Sequence, residues 1–145
     1  MHSQMNMIRC AIVRGGTSKG VFIMRSELPE APGERDRVLL SVLGSPDIRQ
    51  IDGLGGADVL TSKLAVISPC STGEADVDYT FGQVSIEKAF IDYGGNCGNI
   101  SSAVGGFAID VESCVTVESG TVRVEKIGIF RTARMIMDGY VYVRK

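Results

Sequence analysis

Two short segments carry side chains able to move a proton. The first is Gly94-Gly95-Asn96-Cys97-Gly98-Asn99, immediately ahead of an apolar helical stripe. Its glycines let backbone N–H groups turn toward one point, and a helix start adds partial positive charge. Such a segment can cradle a carboxylate or a phosphate. A cysteine there has its thiolate favoured, and a thiol can give or take a proton at carbon. The same residues also fit a structural turn with a buried cysteine. The second segment, Gly53-Leu54-Gly55-Gly56-Ala57-Asp58, leads into Leu60-Thr61-Ser62-Lys63. A lysine among small residues, just before an apolar strand, can be desolvated. Desolvation favours the neutral amine and makes it a competent base. An exposed loop lysine fits this spacing too.

A third segment, Gly15-Gly16-Thr17-Ser18-Lys19-Gly20, resembles a phosphate loop but fails the pattern, because a Walker loop needs Lys before Ser or Thr. An anion-binding loop built from the Thr17 and Ser18 hydroxyls and Lys19 remains open. Gly53 and Gly55 do not complete a dinucleotide fingerprint, so no nucleotide cofactor is expected. Asp76, Asp78 and Asp92 are separated and read as turn or surface residues, not as a metal site. The four cysteines, Cys10, Cys70, Cys97 and Cys114, form no C-x-x-C pair and have no histidine nearby. Neither zinc nor a disulfide framework is suggested. Cys10, Cys70 and Cys114 read as small buried hydrophobes. His2 is the single histidine and lies in a terminus expected to be flexible. That removes Ser-His-Asp and Cys-His catalysis within this chain.

These residues need a scaffold, and 145 residues suffice for one compact domain with a core. Eighteen glycines against four prolines point to tight turns and close backbone approaches rather than disorder. A net charge of −2 leaves no basic surplus to neutralise phosphates, which argues against a nucleic-acid partner. Apolar runs such as Leu64–Ile67 are too short to cross a bilayer. Met1 to Met5 shows no secretory signal, so a cytoplasmic address is the default expectation.

Ile8 to Val13 and Val21 to Met24 read as strands flanking the Gly15–Gly20 loop. Pro29 to Gly33 reads as a linker. Glu34 to Leu43 carries Val38, Leu39, Val42 and Leu43 on one helix face, stopped by Gly44-Ser45-Pro46. Leu64 to Ser68 is a buried strand ended by Pro69. Val77, Tyr79 and Phe81 alternate with polar residues as in a strand, and Val84 to Ile86 and Ala89 to Ile91 continue in that fashion. Asn99 to Val111 has a helical stripe of Ile100, Ala103, Val104, Phe107, Ala108 and Val111 with no charge until Asp110. A helix of that kind is expected to be buried nearly all round. Gly105 and Gly106 cost it about 1 kcal/mol each, tolerable if neighbours pack close to the backbone there. Val115 to Val117 and Val122 to Val124 read as a hairpin, and Tyr140 to Val143 as a last strand. The pattern is α+β, a central helix surrounded by short strands. No βαβ rhythm is visible, which disfavours a doubly wound parallel sheet.

Five motifs, in this order, resemble the PrpF family. They are Arg14-Gly15-Gly16-Thr17-Ser18-Lys19-Gly20, Arg49 to Asp58, Thr61-Ser62-Lys63, Asp76 to Phe81 and Gly95-Asn96-Cys97-Gly98-Asn99. The resemblance runs from about Ile8 to about Val111. It implies a diaminopimelate epimerase-like fold of two similar units, each a helix wrapped by antiparallel strands, with the site in the cleft between them. It implies cofactor-independent isomerisation of a small unsaturated di- or tricarboxylate, methylitaconate- or methylaconitate-like, by proton abstraction and return. Lys63 matches the family's base. Cys97 matches its cysteine, as proton donor or positioning group. Thr17, Ser18, Lys19, Ser62, Asn96, Gly98 and Asn99 match or adjoin positions lining the substrate site. Oriented N–H groups at Gly98 and Asn99 would stabilise an enolate-like intermediate. No metal or organic cofactor is implied.

Gly106 departs from the proline common in the family. On this reading, 1–7 is a flexible N-terminus, 8–127 the N-terminal epimerase-like domain and 128–145 a divergent or truncated tail, with the second domain absent. A homo-oligomer that rebuilds a cleft is then an option. So is an inactive or partner-dependent carboxylate-binding half.

Overall fold

The computed structural model describes residues 5–108, 115–118, 121–124 and 132–144. A six-stranded sheet forms the centre. Its strands are β1 (Met5–Gly15), β2 (Ser18–Met24), β3 (Lys63–Pro69), β4 (Val77–Val84), β5 (Ile91–Asp92) and β8 (Ala133–Arg144). They lie in the order β5-β4-β3-β2-β1-β8, and every neighbouring pair is antiparallel except β2 with β3. Helix α1 (Pro32–Leu43) and helix α2 (Gly98–Ala108) complete this body. The expected hairpin is present as β6 (Val115–Glu118) paired with β7 (Thr121–Val124).

Strand alternation assigns each helix a face. Val21, Ile23, Leu64, Val66 and Val84 cluster with Leu39, Val42 and Leu43 of α1. The intervening Phe22, Ala65 and Phe81 cluster with Ile100, Ala103 and Val104 of α2. Helix α1 starts with Pro32 at its first turn, where a missing N–H costs nothing. It ends at Gly44, whose left-handed φ of 74° turns its N–H back to the Leu40 and Ser41 carbonyls.

Several expectations change. Helix α2 is not buried all round among the described residues. Ile100, Ala103 and Val104 are buried against the sheet, whereas Ser101, Ser102 and Gly105 are half-buried. Among the described residues, the six-stranded sheet has one helix on each face, and the stripe Ile100, Ala103 and Val104 is the side of α2 that meets it. Among the described residues, a Cβ at Gly105 would meet nothing within 4 Å. A close approach occurs at Gly15, where a Cβ would lie 2.0 Å from the Asn99 carbonyl oxygen.

A βαβ unit also exists, since β2 and β3 are parallel and joined through α1. The irregular glycine-rich stretch between α1 and β3 dilutes the periodicity that would have announced it. The stretch Ser85–Phe90 is a loop rather than a strand. There the Ser45 hydroxyl donates to the Ser85 and Lys88 carbonyls, and the Ser85 hydroxyl accepts from the Glu87 and Lys88 N–H groups.

Met5 to Met7 pair with Tyr142 to Arg144, and β8 runs antiparallel along all of β1 with a register shift at Ile12/Val13. Within the stretch read as a divergent tail, Ala133–Arg144 is thus an edge strand of the same sheet. Its inward positions are too few and too mixed to reveal twelve residues of strand. Cys10 is buried as expected, but Cys70 is partly exposed on the β3–β4 loop. His2, Cys114, residues 109–111 and the side chain of Gly106's neighbour Phe107 lie outside the described residues. Among the described residues no helix is long and apolar enough to cross a membrane.

Candidate active site

Lys63 opens β3 and, by alternation with Ala65, stands on the α2 face of the sheet. It is only 6% exposed, far less than lysine usually is. Its Nζ donates to Gln83 Oε1 at 2.6 Å and sits 5.4 Å from the centre of the Phe81 ring. Gln83 is the direct cross-strand partner of Lys63. The other end of its amide is spoken for: Nε2 donates to the Ser62 carbonyl at 2.8 Å and to the Val59 carbonyl at 3.1 Å. The amide oxygen must therefore face Lys63. A neutral amide oxygen can accept a hydrogen bond from an ammonium or from an amine, because both keep N–H groups.

Cys97 immediately precedes α2, so its side chain stands at the helix N-cap. The backbone N–H groups of Ile100 and Asn99, at the start of the helix, favour its thiolate form. Its Sγ also lies 3.9 Å from Ser18 Oγ. Burial pushes the Cys97 thiol up. The Ile100 N–H, the Lys63 charge, the Ser18 hydroxyl and the Asn99 N–H outweigh burial and hold it below the ordinary thiol value. Lys63 and Cys97 are thus electrostatically linked across the same cluster of Phe22, Phe81 and Ile100.

The segment around Cys97 is fixed from both sides. Asn96 Oδ1 accepts from the Cys97 N–H at 2.8 Å, from the Tyr79 hydroxyl at 3.0 Å and from Ser101 Oγ at 3.1 Å. The Tyr79 and Ser101 hydroxyls are hydrogen-bonded to each other. On the other side, Asn99 Nδ2 donates to Thr17 Oγ1 at 3.0 Å and Ser18 Oγ at 3.1 Å. Asn99 Oδ1 is buried without a hydrogen-bond partner among the described residues. The absence of a side chain at Gly15 is what lets β1 approach the first turn of α2 this closely.

Lys63, Cys97, Thr17, Ser18, Asn96, Gly98 and Asn99 accordingly gather where α2 begins. Two predicted residues do not join them. Lys19 alternates with Ser18 and so belongs to the opposite face of β2, with Val21. Ser62 is wholly buried, and its hydroxyl donates to the Val84 carbonyl and accepts from Gln50 Nε2. Both its bonding directions are used inside the protein, so it supports β3 rather than lining a site.

Three contributors escaped the sequence reading. Gln83 shares the Tyr79–Phe81 face of β4, so a polar residue at the next period-two position was its signal. Tyr79 is marked in the sequence by strand periodicity and by the Asp76–Phe81 motif, neither of which gives it a place in the site. Gln50 is 1% exposed, with φ of 46°. It ties the glycine-rich loop to Ser62 by accepting from the Ala57 N–H and donating to the Ser62 hydroxyl. Gly55 is required beside it, since a Cβ there would come 2.2 Å from the Gln50 amide. Among the described residues no three His, Cys, Asp or Glu side chains cluster as metal ligands would.

An amine and a depressed thiol, with hydroxyl and amide groups beside them, can remove and return protons on a carboxylate-bearing carbon skeleton. Comparison with known proteins agrees in kind. The 3-methylitaconate isomerase of Eubacterium barkeri is 58% identical over 121 residues, 83% of this chain and 32% of that protein. The 2-methyl-aconitate isomerase of Shewanella oneidensis is 48% identical over 136 residues, 86% of this chain and 34% of that protein. This chain therefore spans about a third of the length of these curated relatives. A crystal structure of methylitaconate-delta-isomerase matches with a TM-score of 0.85 and 38% identity, over 99% of this chain and 98% of that one. Residues 5–117 match the PrpF protein family, and by that match and these relatives the chain belongs to the PrpF family.

Proposed function

We propose that this chain carries the proton-transfer half-site of a cofactor-independent isomerase acting on a small unsaturated di- or tricarboxylate, of the methylitaconate or methylaconitate type. The observation that carries the reading is the buried Lys63 on a neutral partner, electrostatically linked to a depressed thiol at the start of α2. Relatives named as isomerases of such acids support the substrate class. The neutral Lys63 amine takes the proton from the allylic carbon. The C–H electron pair spreads into the conjugated carboxylate, and an N–H bond forms. The Cys97 thiol returns a proton at the other end of the allylic system, leaving ammonium and thiolate. Transfer of one proton from Lys63 to Cys97 resets the pair. Thr17, Ser18, Asn96 and the N–H of Gly98 are the groups that would hold carboxylates.

In this reading the fold is one diaminopimelate epimerase-like unit, and the second wall of the cleft comes from a further unit or a second copy. The test is hydrogen exchange into methylitaconate or trans-aconitate in heavy water, followed by NMR. Exchange by the wild-type chain and its loss in a folded Lys63→Ala variant are expected. Near-normal exchange by that variant would sink the assignment. The exposure of Thr17, Asn96 and Gly98 on an open face also suits a carboxylate-binding unit that needs a partner. Saturable binding of these acids without exchange would favour that second reading.

A further inference from the structure

We infer that Gln83 is a positioning residue for Lys63, holding the amine by a fixed, uncharged acceptor. The inference rests on the isomerase reading for its catalytic consequence, but its physical content can be measured without turnover. Three observations support it. Gln83 Oε1 accepts from Lys63 Nζ at 2.6 Å. Its Nε2 is anchored to two backbone carbonyls, Ser62 and Val59, so the amide cannot flip without losing both bonds. Lys63 is buried, so this acceptor is not in competition with bulk water.

A lysine amine keeps at least two N–H bonds in either protonation state, so Gln83 can hold it throughout a catalytic cycle. With one N–H fixed on Gln83, the lone pair of the neutral amine points away from Gln83, restricting where a substrate carbon can be attacked. A carboxylate at this position would hold Lys63 as ammonium and oppose its action as a base. The amide supplies orientation without that electrostatic cost. Ser62 and Gln50 extend the same device. Gln50 fixes the Ser62 hydroxyl, and the Ser62 carbonyl fixes the Gln83 amide.

The test uses Gln83→Glu and Gln83→Met in the full chain. Lys63 acylation by acetic anhydride is followed across pH by mass spectrometry. In Gln83→Glu the pH of half-maximal labelling moves up by about one unit or more, because an opposite charge now faces the ammonium. In Gln83→Met it moves down, because an acceptor favouring the charged form is gone. Each variant alone decides, so failure of one to fold leaves the other. A midpoint within 0.3 units (roughly the precision needed to resolve an effect of this origin) in a folded variant overturns the inference. Where the wild type exchanges substrate hydrogen, Gln83→Met lowers kcat at least tenfold with KM changed less than twofold. An unchanged kcat overturns the positioning role. A wild type that exchanges nothing counts against the isomerase reading and leaves the labelling result to decide the Gln83 contact.

Discussion

Replacing Gly15 by alanine should displace the start of α2 and weaken the site without touching a reactive group. The added Cβ would lie 2.0 Å from the Asn99 carbonyl oxygen, 2.9 Å from its carbonyl carbon and 2.8 Å from the Ala103 Cβ. The first two are backbone atoms, so no rotamer change can relieve them. Restoring even a tight contact requires about 1 Å of movement of α2 away from β1. Overpacking of this kind costs about 1–3 kcal/mol. With a urea m-value of about 2 kcal/mol/M, the midpoint falls by roughly 0.5–1.5 M.

A second readout reports the site. Cys97 and Asn99 ride on the displaced turn, so the Ser18 contact and the influence of the Lys63 charge weaken. Iodoacetamide alkylation of Cys97 at neutral pH should therefore slow, with mass spectrometry identifying the modified residue. Gly105→Ala is the matched control. Its Cβ meets nothing within 4 Å, and removing a helical glycine gains up to about 1 kcal/mol. Unchanged urea midpoint and alkylation rate in Gly15→Ala would refute the reasoning, because both follow from the same backbone contact.

Lys63→Met should move the pH of half-maximal Cys97 alkylation upward, because it removes a charge that lowers the thiol and leaves the opposing burial in place; an unmoved profile would separate the two residues. Ser62→Ala should destabilise the fold by about 1–3 kcal/mol in urea melts, since it leaves the buried Val84 carbonyl short of a donor and the Gln50 amide short of an acceptor. A loss below a few tenths of a kcal/mol would show that this hydroxyl is not a support.

Much of the chain order was legible from local signals: Pro32 and Gly44 bracket α1, and alternation marks β4. Glycine-rich segments ahead of regular elements are what single out Lys63 and Cys97 in the sequence.

Pairing and facing were left to the tertiary structure. The apolar stripe of α2 marks Ile100, Ala103 and Val104 as its buried side but not the sheet face that receives them, and β8 has no period clear enough to announce that it would run along β1. The roles of Ser62 and Lys19 depended on facing in the same way. Adjacent residues in a strand point to opposite sides, so Ser18 joins the site while Lys19 turns from it. Gln83 became the partner of Lys63 only through the β3–β4 register, twenty residues away in sequence. Local sequence determined which groups could act. Long-range pairing decided which of them meet, because register and face are properties of two strands together and belong to neither alone.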